Sequence, residues 1–184
     1  MNAPAKPKFR LEALHERHPG LTASLSGTFL EAASVCLSRH HESPVDMNVV
    51  CNGGASKQLV EFPKPDARVL NAWANDIDTT ESGACGVSLA AVESEERLVA
   101  VRRAETLTGA DWYVAPIGTK SDDLESCFRL EVSGVDVGGR SVVDARLRQK
   151  IAQTKRGASN LPAIASVVGF KEMAIAIQRV SVEK

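Results

Sequence analysis

The sequence predicts an α/β protein of the α+β type, with a mixed central β-sheet flanked by helices. From residue 79 onward the apolar patterns alternate as helix, strand, strand, strand, helix, strand, strand, an order that favours helices packed on a mixed sheet. A chain of 184 residues is long enough for one such domain, and aromatic residues make up only 4% of it. We therefore expect a core built mainly from Val, Leu, Ile and Ala.

The first third of the chain predicts helices followed by a hairpin. Residues 9–18 are predicted to form a short helix that ends at Pro19-Gly20. Residues 22–41 carry apolar side chains at helical spacing, which predicts a longer helix. Residues 47–51 and 58–62 have strand patterns on either side of a turn at Asn52-Gly53-Gly54.

A rigid connector, Pro63-Lys64-Pro65, is the predicted boundary between an N-terminal extension (residues 1–65) and a core (residues 66–184). Asp66 can cap a helix that runs to about residue 77. Thr79 or Thr80 can cap a second helix to about residue 93. The glycines and alanines of that second helix predict close packing against a sheet.

The rest of the core is predicted as strands over residues 98–104, 112–115 and 128–132, then a helix, then two more strands. The helix begins at Ser141, with Asp144 completing a capping box, and ends at Gly157. The last two strands cover residues 163–168 and 173–180.

Charge and composition exclude several classes of function. The net charge is −1, but residues 127–184 hold ten basic and five acidic side chains, which gives that part +5. Strong nonspecific nucleic-acid binding by the whole chain is not expected, whereas a local basic face is. No apolar run is long enough for a transmembrane helix and no signal-peptide pattern is present, so we expect no membrane contact and a cytoplasmic location. The dispersed cysteines are expected to be reduced and mostly buried.

Two acids in successive predicted strands are the main group of residues that suggests a catalytic or metal-binding site. Asp111 begins one apolar run, and Glu131 lies inside the next. Carboxylates on neighbouring strands can meet across a sheet and hold Mg²⁺ or Mn²⁺ together with water. The alternative is that both acids form ordinary ion pairs at the edge of the sheet, for example with Arg129.

The helix after the second acid carries basic side chains on several sides. Val143, Leu147 and Ile151 form its sheet-facing stripe, and Lys150 lies about 20° from Val143 on the helical wheel. Lys150 must therefore reach a polar partner or extend along the helix to solvent. The remaining cations are either contacts to a nucleic-acid backbone or a solvated face: Arg146, Arg148, Lys155 and Arg156.

The order of elements, with Gly-Ala-Asp111 and Glu131-Val132-Ser133, resembles the PD-(D/E)xK (restriction-endonuclease-like) nuclease superfamily over about residues 79–180. The resemblance implies a restriction-endonuclease-like core with an N-terminal helix-hairpin extension. It also implies a magnesium or manganese ion held by Asp111, Glu131 and the Val132 carbonyl. The implied activity is metal-dependent hydrolysis of nucleic acid, with DNA favoured over RNA, in defence or repair.

The chain departs from that family at Ser133, where the family pattern has a lysine. The resemblance implies that Lys150, from the following helix, supplies the missing group, so that Asp111, Glu131 and Lys150 are the expected catalytic residues. Glu81 or Glu93 is a candidate third acid. The alternative is a noncatalytic nuclease-fold subunit of a larger complex, whose N-terminal region contacts a protein partner.

Overall fold

The computed structural model describes residues 8–119, 124–156 and 159–181. This part of the chain forms one mixed sheet of seven strands and four α-helices. The strands are β1 (Val45–Cys51), β2 (Gly54–Val60), β3 (Leu98–Arg103), β4 (Trp112–Pro116), β5 (Phe128–Val135), β6 (Ala163–Gly169) and β7 (Ala174–Val180). The helices are α1 (Ala23–Ser38), α2 (Ala67–Ala72), α3 (Asp76–Glu96) and α4 (Arg140–Arg156).

The strands lie in the order β2-β1-β7-β6-β5-β4-β3. The pairs β1–β7 and β5–β6 are parallel, and the other neighbouring strands are antiparallel. Parallel neighbours cannot be joined by a tight turn and need a crossover connection. Helix α4 is the crossover between β5 and β6, so it lies across the sheet next to both strands.

Helices cover both faces of the sheet. Helices α1 and α3 enclose the larger core, which includes Trp112, Leu130 and Ile164. On the other face, Val143 of α4 packs with Val135, Val167 and Ala176, and Leu147 and Ile151 pack with Ala163, Ala165 and Val180. Every residue of β6 is buried, as expected for a strand covered on both faces. The predicted mixed sheet flanked by helices is confirmed.

Side-chain caps explain where the helices start, and they correct two predicted boundaries. Thr22 and Asp66 cap α1 and α2 by accepting from the backbone N–H groups of Leu25 and Val69. Helix α2 ends at Ala72 instead of near residue 77. Helix α3 begins at Asp76 rather than at a threonine cap, because Asn75 Oδ1 accepts from two N–H groups of its first turn.

The helix predicted for residues 9–18 is wrong, because only Leu14–Glu16 form a short 3-10 turn. The Arg17 guanidinium donates to the carbonyl oxygens of Arg10, Glu12 and Ala13. The same side chain pairs with the buried carboxylate of Glu93, with Nε 2.8 Å from Oε1. This segment is therefore held in an irregular path by side-chain contacts.

The start of α4 also differs from the prediction. The helix begins at Arg140, so Ser141 lies inside it. Asp144 does not complete a capping box, because its Oδ1 accepts from Arg140 Nε at 2.9 Å. The predicted end at Gly157 lies outside the described residues.

The small residues of α3 allow a close approach to α1 in addition to the predicted close packing against the sheet. A Cβ atom on Gly83 would lie 3.1 Å from backbone atoms of α1, and one on Gly86 would lie 2.9 Å from the Cβ of Phe29. On the sheet side, Gly134 of β5 leaves room for Thr80 and Ala84 of α3, which confirms the predicted close packing.

The described part of the N-terminal region is integrated into the same sheet. Strand β1 pairs with β7 over residues 48–51, and the Glu95 carboxylate accepts hydrogen bonds from Ser56 and Gln58 of β2, both at 2.7 Å. The four cysteines form no disulfide with one another, and Cys51 is partly exposed while the others are buried. Within the described ranges, no helix combines the length and the apolar character that crossing a membrane requires.

Two glycine-to-alanine substitutions should have opposite effects on stability. Gly86→Ala places a methyl group against Phe29 and should lower the free energy of unfolding by about 1–3 kcal/mol. Gly27→Ala lies on an exposed turn of α1 with no atom within 4 Å of the added Cβ, and it should raise stability by about 0.5–1 kcal/mol. Urea unfolding of both variants measures this, and equal effects would contradict the proposed tight α1–α3 contact.

Candidate functional site

One cleft contains all three residues that we predicted to act together. It has a volume of about 600 Å³ and is lined by residues of α1, α3, β3, β5 and α4 together with Asp111. Its lining residues are Leu25, Phe29, Glu81, Ser82, Cys85, Arg103, Asp111, Glu131, Val132, Ser133, Arg146 and Lys150.

Glu131 and Lys150 form an ion pair in this cleft. Lys150 Nζ lies 2.6 Å from Glu131 Oε1, and the exposed fractions of the two side chains are 17% and 7% respectively. Glu131 is on the α4 side of β5, and Lys150 is at the edge of the sheet-facing stripe of α4. Lys150 also donates to Gln153 Oε1 at 3.3 Å. The lysine therefore has a polar partner at the sheet and does not simply extend to solvent.

Asp111 is fixed at the mouth of the same cleft by backbone hydrogen bonds. Its N–H donates to the Leu130 carbonyl at 2.8 Å, and its Oδ2 accepts from the Val132 N–H at 2.8 Å. These bonds place Asp111 beside Glu131 at the start of β4. Arg103 Nη2 lies 3.7 Å from Asp111 Oδ1, and the Arg103 guanidinium sits 4.9 Å from the Trp112 ring centroid.

The environment of Glu131 makes its carboxyl harder to ionise than that of an exposed glutamate. Burial is the largest influence and raises the pKa of the Glu131 carboxyl above its ordinary value. The hydrogen bond from Lys150 acts in the opposite direction, and the charge of Asp111 adds to the rise. Asp111 and Glu131 line the same cleft, so the two carboxylates influence each other electrostatically.

The residues present fit an open magnesium site but not a closed protein cage. Across residues 8–119, 124–156 and 159–181, no group of three or more His, Cys, Asp or Glu side chains is arranged to hold a metal ion. Mg²⁺ commonly uses only one or two carboxylates and keeps several waters. Asp111 and Glu131 can offer two carboxylates, although one oxygen of each already accepts a hydrogen bond.

A second cavity of about 490 Å³ adjoins the first one. It lies between Gln153 of α4 and the connection from β3 to β4, and it shares three residues with the cleft: Arg103, Asp111 and Glu131. The acid pair therefore stands where two cavities meet, and a bound molecule could extend to either side of it.

The four predicted phosphate-contacting residues are not on one face. Arg146 lines the cleft one helical turn before Lys150. At 100° per residue, Arg148 and Lys155 lie on the opposite edge of α4, and Arg156 faces outward. All four side chains are exposed, but among them only Arg146 lines the cleft. Arg146 is therefore the member of the set best placed to act with the acids.

The structure also separates the two candidate third acids. Glu81 lines the cleft near the start of α3. Glu93 is buried away from it and is occupied by Arg17 and His18. Ser133 lines the cleft, which is the position where the family pattern would place its lysine.

Sequence reasoning missed Arg103, Phe29 and Cys85 as cleft residues. Arg103 could have been found from strand pairing, because it lies opposite Trp112, next to Asp111. Phe29 and Cys85 come from helices whose positions in space the sequence does not specify. Burial raises the pKa of the Cys85 thiol to about 12, so this residue is not a thiolate nucleophile near neutral pH.

Comparisons with known proteins identify no relative. No family model matches the chain, and no curated protein or solved structure matches it. The chemistry of the cleft therefore has to be inferred from its own residues.

The raised pKa of Glu131 predicts a specific pH dependence of stability. The carboxyl of Glu131 is harder to ionise in the folded state than in the unfolded state. Its contribution to the stability of the folded protein is therefore lost as pH rises from its ordinary pKa, 4.5, through the higher folded value. The free energy of unfolding of the wild type, minus that of Glu131→Gln, should therefore fall as pH rises through this window. Urea unfolding of both proteins from pH 4 to 7 measures the difference. A difference that increases with pH would contradict the raised pKa.

Proposed function

We propose that this protein is a metal-dependent nuclease that hydrolyses phosphodiester bonds, with DNA favoured over RNA. The observation that carries the proposal is the meeting of Asp111, Glu131 and Lys150 in one cleft. The three residues come from the position immediately before β4, the middle of β5 and the crossover helix α4. Side chains on one strand or one helix turn are neighbours whatever the fold. Residues from three separate elements meet only when those elements pack in a specific way.

The arrangement of elements supports the proposal. Helix α3 is followed by the antiparallel strands β3, β4 and β5, and α4 then crosses to the parallel strand β6. This is the order that the resemblance to PD-(D/E)xK nucleases implies, and we propose that residues 79–180 form a restriction-endonuclease-like core. The described part of the N-terminal region adds β1 and β2 to the sheet, and Leu25 and Phe29 of α1 to the cleft wall.

Asp111, Glu131 and the Val132 carbonyl are the proposed ligands of Mg²⁺ or Mn²⁺. A bound metal ion of this kind polarises a phosphate oxygen and lowers the pKa of its water. For Glu131 to act as a ligand it must be ionised, and its raised pKa makes that state less populated in acid. Metal affinity should therefore decrease as pH falls through the pKa of Glu131.

Lys150 supplies the positive charge that Ser133 lacks. Its ammonium group is paired with Glu131 in the structure, and in the proposed nuclease it would contact a phosphate oxygen of the substrate. A preorganised cation beside developing negative charge stabilises the transition state. Arg146, one turn earlier in α4, and Arg103 provide further positive charge for the phosphates on either side.

The noncatalytic alternative has one observation in its favour. In the described residues, no cluster of three or more potential metal ligands is present. Under this alternative the Lys150–Glu131 pair has only a structural role, and the protein acts as a noncatalytic binding subunit of a larger complex. Its N-terminal region would then contact the protein partner. The two proposals differ in whether cleavage requires metal and Lys150.

Replacing Lys150 by methionine should abolish most of the nuclease activity. Methionine keeps much of the apolar stem of lysine but removes its charge, so the cleavage rate should fall about 10²-fold or more. Rates on single-stranded DNA, double-stranded DNA and RNA with Mg²⁺ or Mn²⁺ measure the effect. Ser133→Lys added to Lys150→Met should recover part of the rate, because residue 133 lines the same cleft.

Lys171→Met is the matched control, because Lys171 is an exposed lysine in the turn between β6 and β7. It should retain the wild-type rate. Equal cleavage by wild type and Lys150→Met would refute the role of Lys150. If the wild type cleaves none of the substrates at any metal concentration, the noncatalytic alternative is supported.

Arg146 should contribute more to nucleic-acid binding than Arg148, because Arg146 lines the cleft and Arg148 lies on the opposite edge of α4. Losing one phosphate contact should reduce the slope of log affinity against log salt by roughly 0.7 to 0.9. Fluorescence anisotropy with a labelled oligonucleotide, at several salt concentrations and without divalent metal, compares Arg146→Ala with Arg148→Ala. A larger change in slope for Arg148→Ala would place the binding face elsewhere on α4.

A further inference from the structure

Arg129, at the start of β5, has a buried guanidinium that bonds to three backbone carbonyls. The residue is only 1% exposed. Its Nε donates to the Leu161 carbonyl at 3.1 Å, Nη1 to the Thr108 carbonyl at 2.8 Å, and Nη2 to the Thr154 carbonyl at 3.3 Å. Arginine stays protonated in proteins, so a full positive charge is buried here.

This charge has no carboxylate partner among the described residues. The ion pairs of the described chain do not include Arg129, so the predicted possibility of an Arg129 pair with Asp111 or Glu131 is wrong. Burying a cation costs free energy that hydrogen bonds must offset. Carbonyl dipoles fill that role here, and the Thr154 carbonyl belongs to the negative end of α4.

Two of the three carbonyls belong to segments that carry proposed catalytic residues, and the third, that of Leu161, belongs to the connection from α4 to β6. Thr108 precedes Asp111 in the connection from β3 to β4. Thr154 follows Lys150 by one helical turn in α4. Arg129 itself precedes Glu131 by two residues and points to the same side of β5. One rigid, planar side chain thus joins the elements that carry all three proposed catalytic residues.

We propose that Arg129 is a positioning residue, which holds the Asp111 connection and the last turns of α4 at a fixed distance from Glu131. The inference rests on the proposed function for its consequence in catalysis. Arg129 is not among the residues that line either cavity, so it acts through the segments it holds. A displacement of about 1 Å in a reacting group can cost 10²-fold in rate.

The guanidinium is suited to this task in a way that lysine is not. Its donors are fixed in one plane and reach carbonyls in three directions, whereas an ammonium group is a single point on a flexible stem. Arg129→Lys should therefore keep the charge but lose some of the three links. Arg129→Met should lose all of them and leave three buried carbonyls without this donor.

Amide hydrogen exchange tests the positioning role without relying on activity. The amides of Ala104 and Asp111 are hydrogen-bonded in the folded protein and report on the connection. In Arg129→Met, exchange should accelerate about tenfold or more over residues 104–111 and 150–156, while β6 and β7 keep wild-type rates. Arg129→Lys should show a smaller change in the same segments. Arg140→Met, which breaks a half-exposed pair at the other end of α4, should leave both segments unchanged.

Exchange that accelerates equally throughout the chain, or in neither segment, would overturn the proposal. Cleavage assays on the same variants add the catalytic test: kcat should fall about 10²-fold in Arg129→Met, partly recovered in Arg129→Lys, with little change in KM. Local acceleration with an unchanged kcat would overturn a role in catalysis. Local acceleration with no cleavage by the wild type would support the positioning role and refute the proposed nuclease function.

Discussion

The ion pair between Lys150 and Glu131 joins helix α4 to the middle of the sheet. A carboxylate buried in β5 is costly unless a positive charge or hydrogen-bond donors compensate for it. Lys150 provides that charge at 2.6 Å, and the parallel pairing of β5 and β6 requires a crossover that carries α4 over the same face. The geometry of the cleft depends on the ion pair and on the crossover. The crossover carries α4 over this face of the sheet, and the ion pair holds the Lys150 ammonium group against Glu131.

The charged groups that a ligand of the cleft would contact already have partners within the protein. Glu131 is held by Lys150, and Asp111 is held by the Val132 N–H and lies near Arg103. If Asp111 and Glu131 held Mg²⁺ or Mn²⁺, as proposed, the two carboxylates would be neutralised by the metal and Lys150 would be available for a phosphate. The proposal therefore implies that activity depends on the metal. A purely structural pair would have no such dependence.

Local patterns allowed the central part of this fold to be predicted from the sequence. The alternation around Glu131 and the stripe of Val143, Leu147 and Ile151 were enough to expect Lys150 at the sheet. Features set by distant residues could not be predicted in this way. The parallel pairing of β1 with β7 joins residues more than a hundred positions apart. Arg129, which the sequence offered only as one alternative ion-pair partner for the two acids, binds three carbonyls instead. The sequence also did not identify Asn75 as the cap of α3, because other residues nearby are equally suitable helix caps.

Calorimetric titration with Mn²⁺ at neutral pH tests most directly whether the Asp111–Glu131 pair is a metal site. The account predicts one binding event for the wild type, lost or weakened at least tenfold in Glu131→Gln, because a neutral amide is a poorer ligand for a hard cation. Asp46→Asn, which removes an exposed carboxylate on β1, should bind like the wild type. Binding of equal strength by the wild type and Glu131→Gln, or no binding by the wild type, would contradict the proposed metal site.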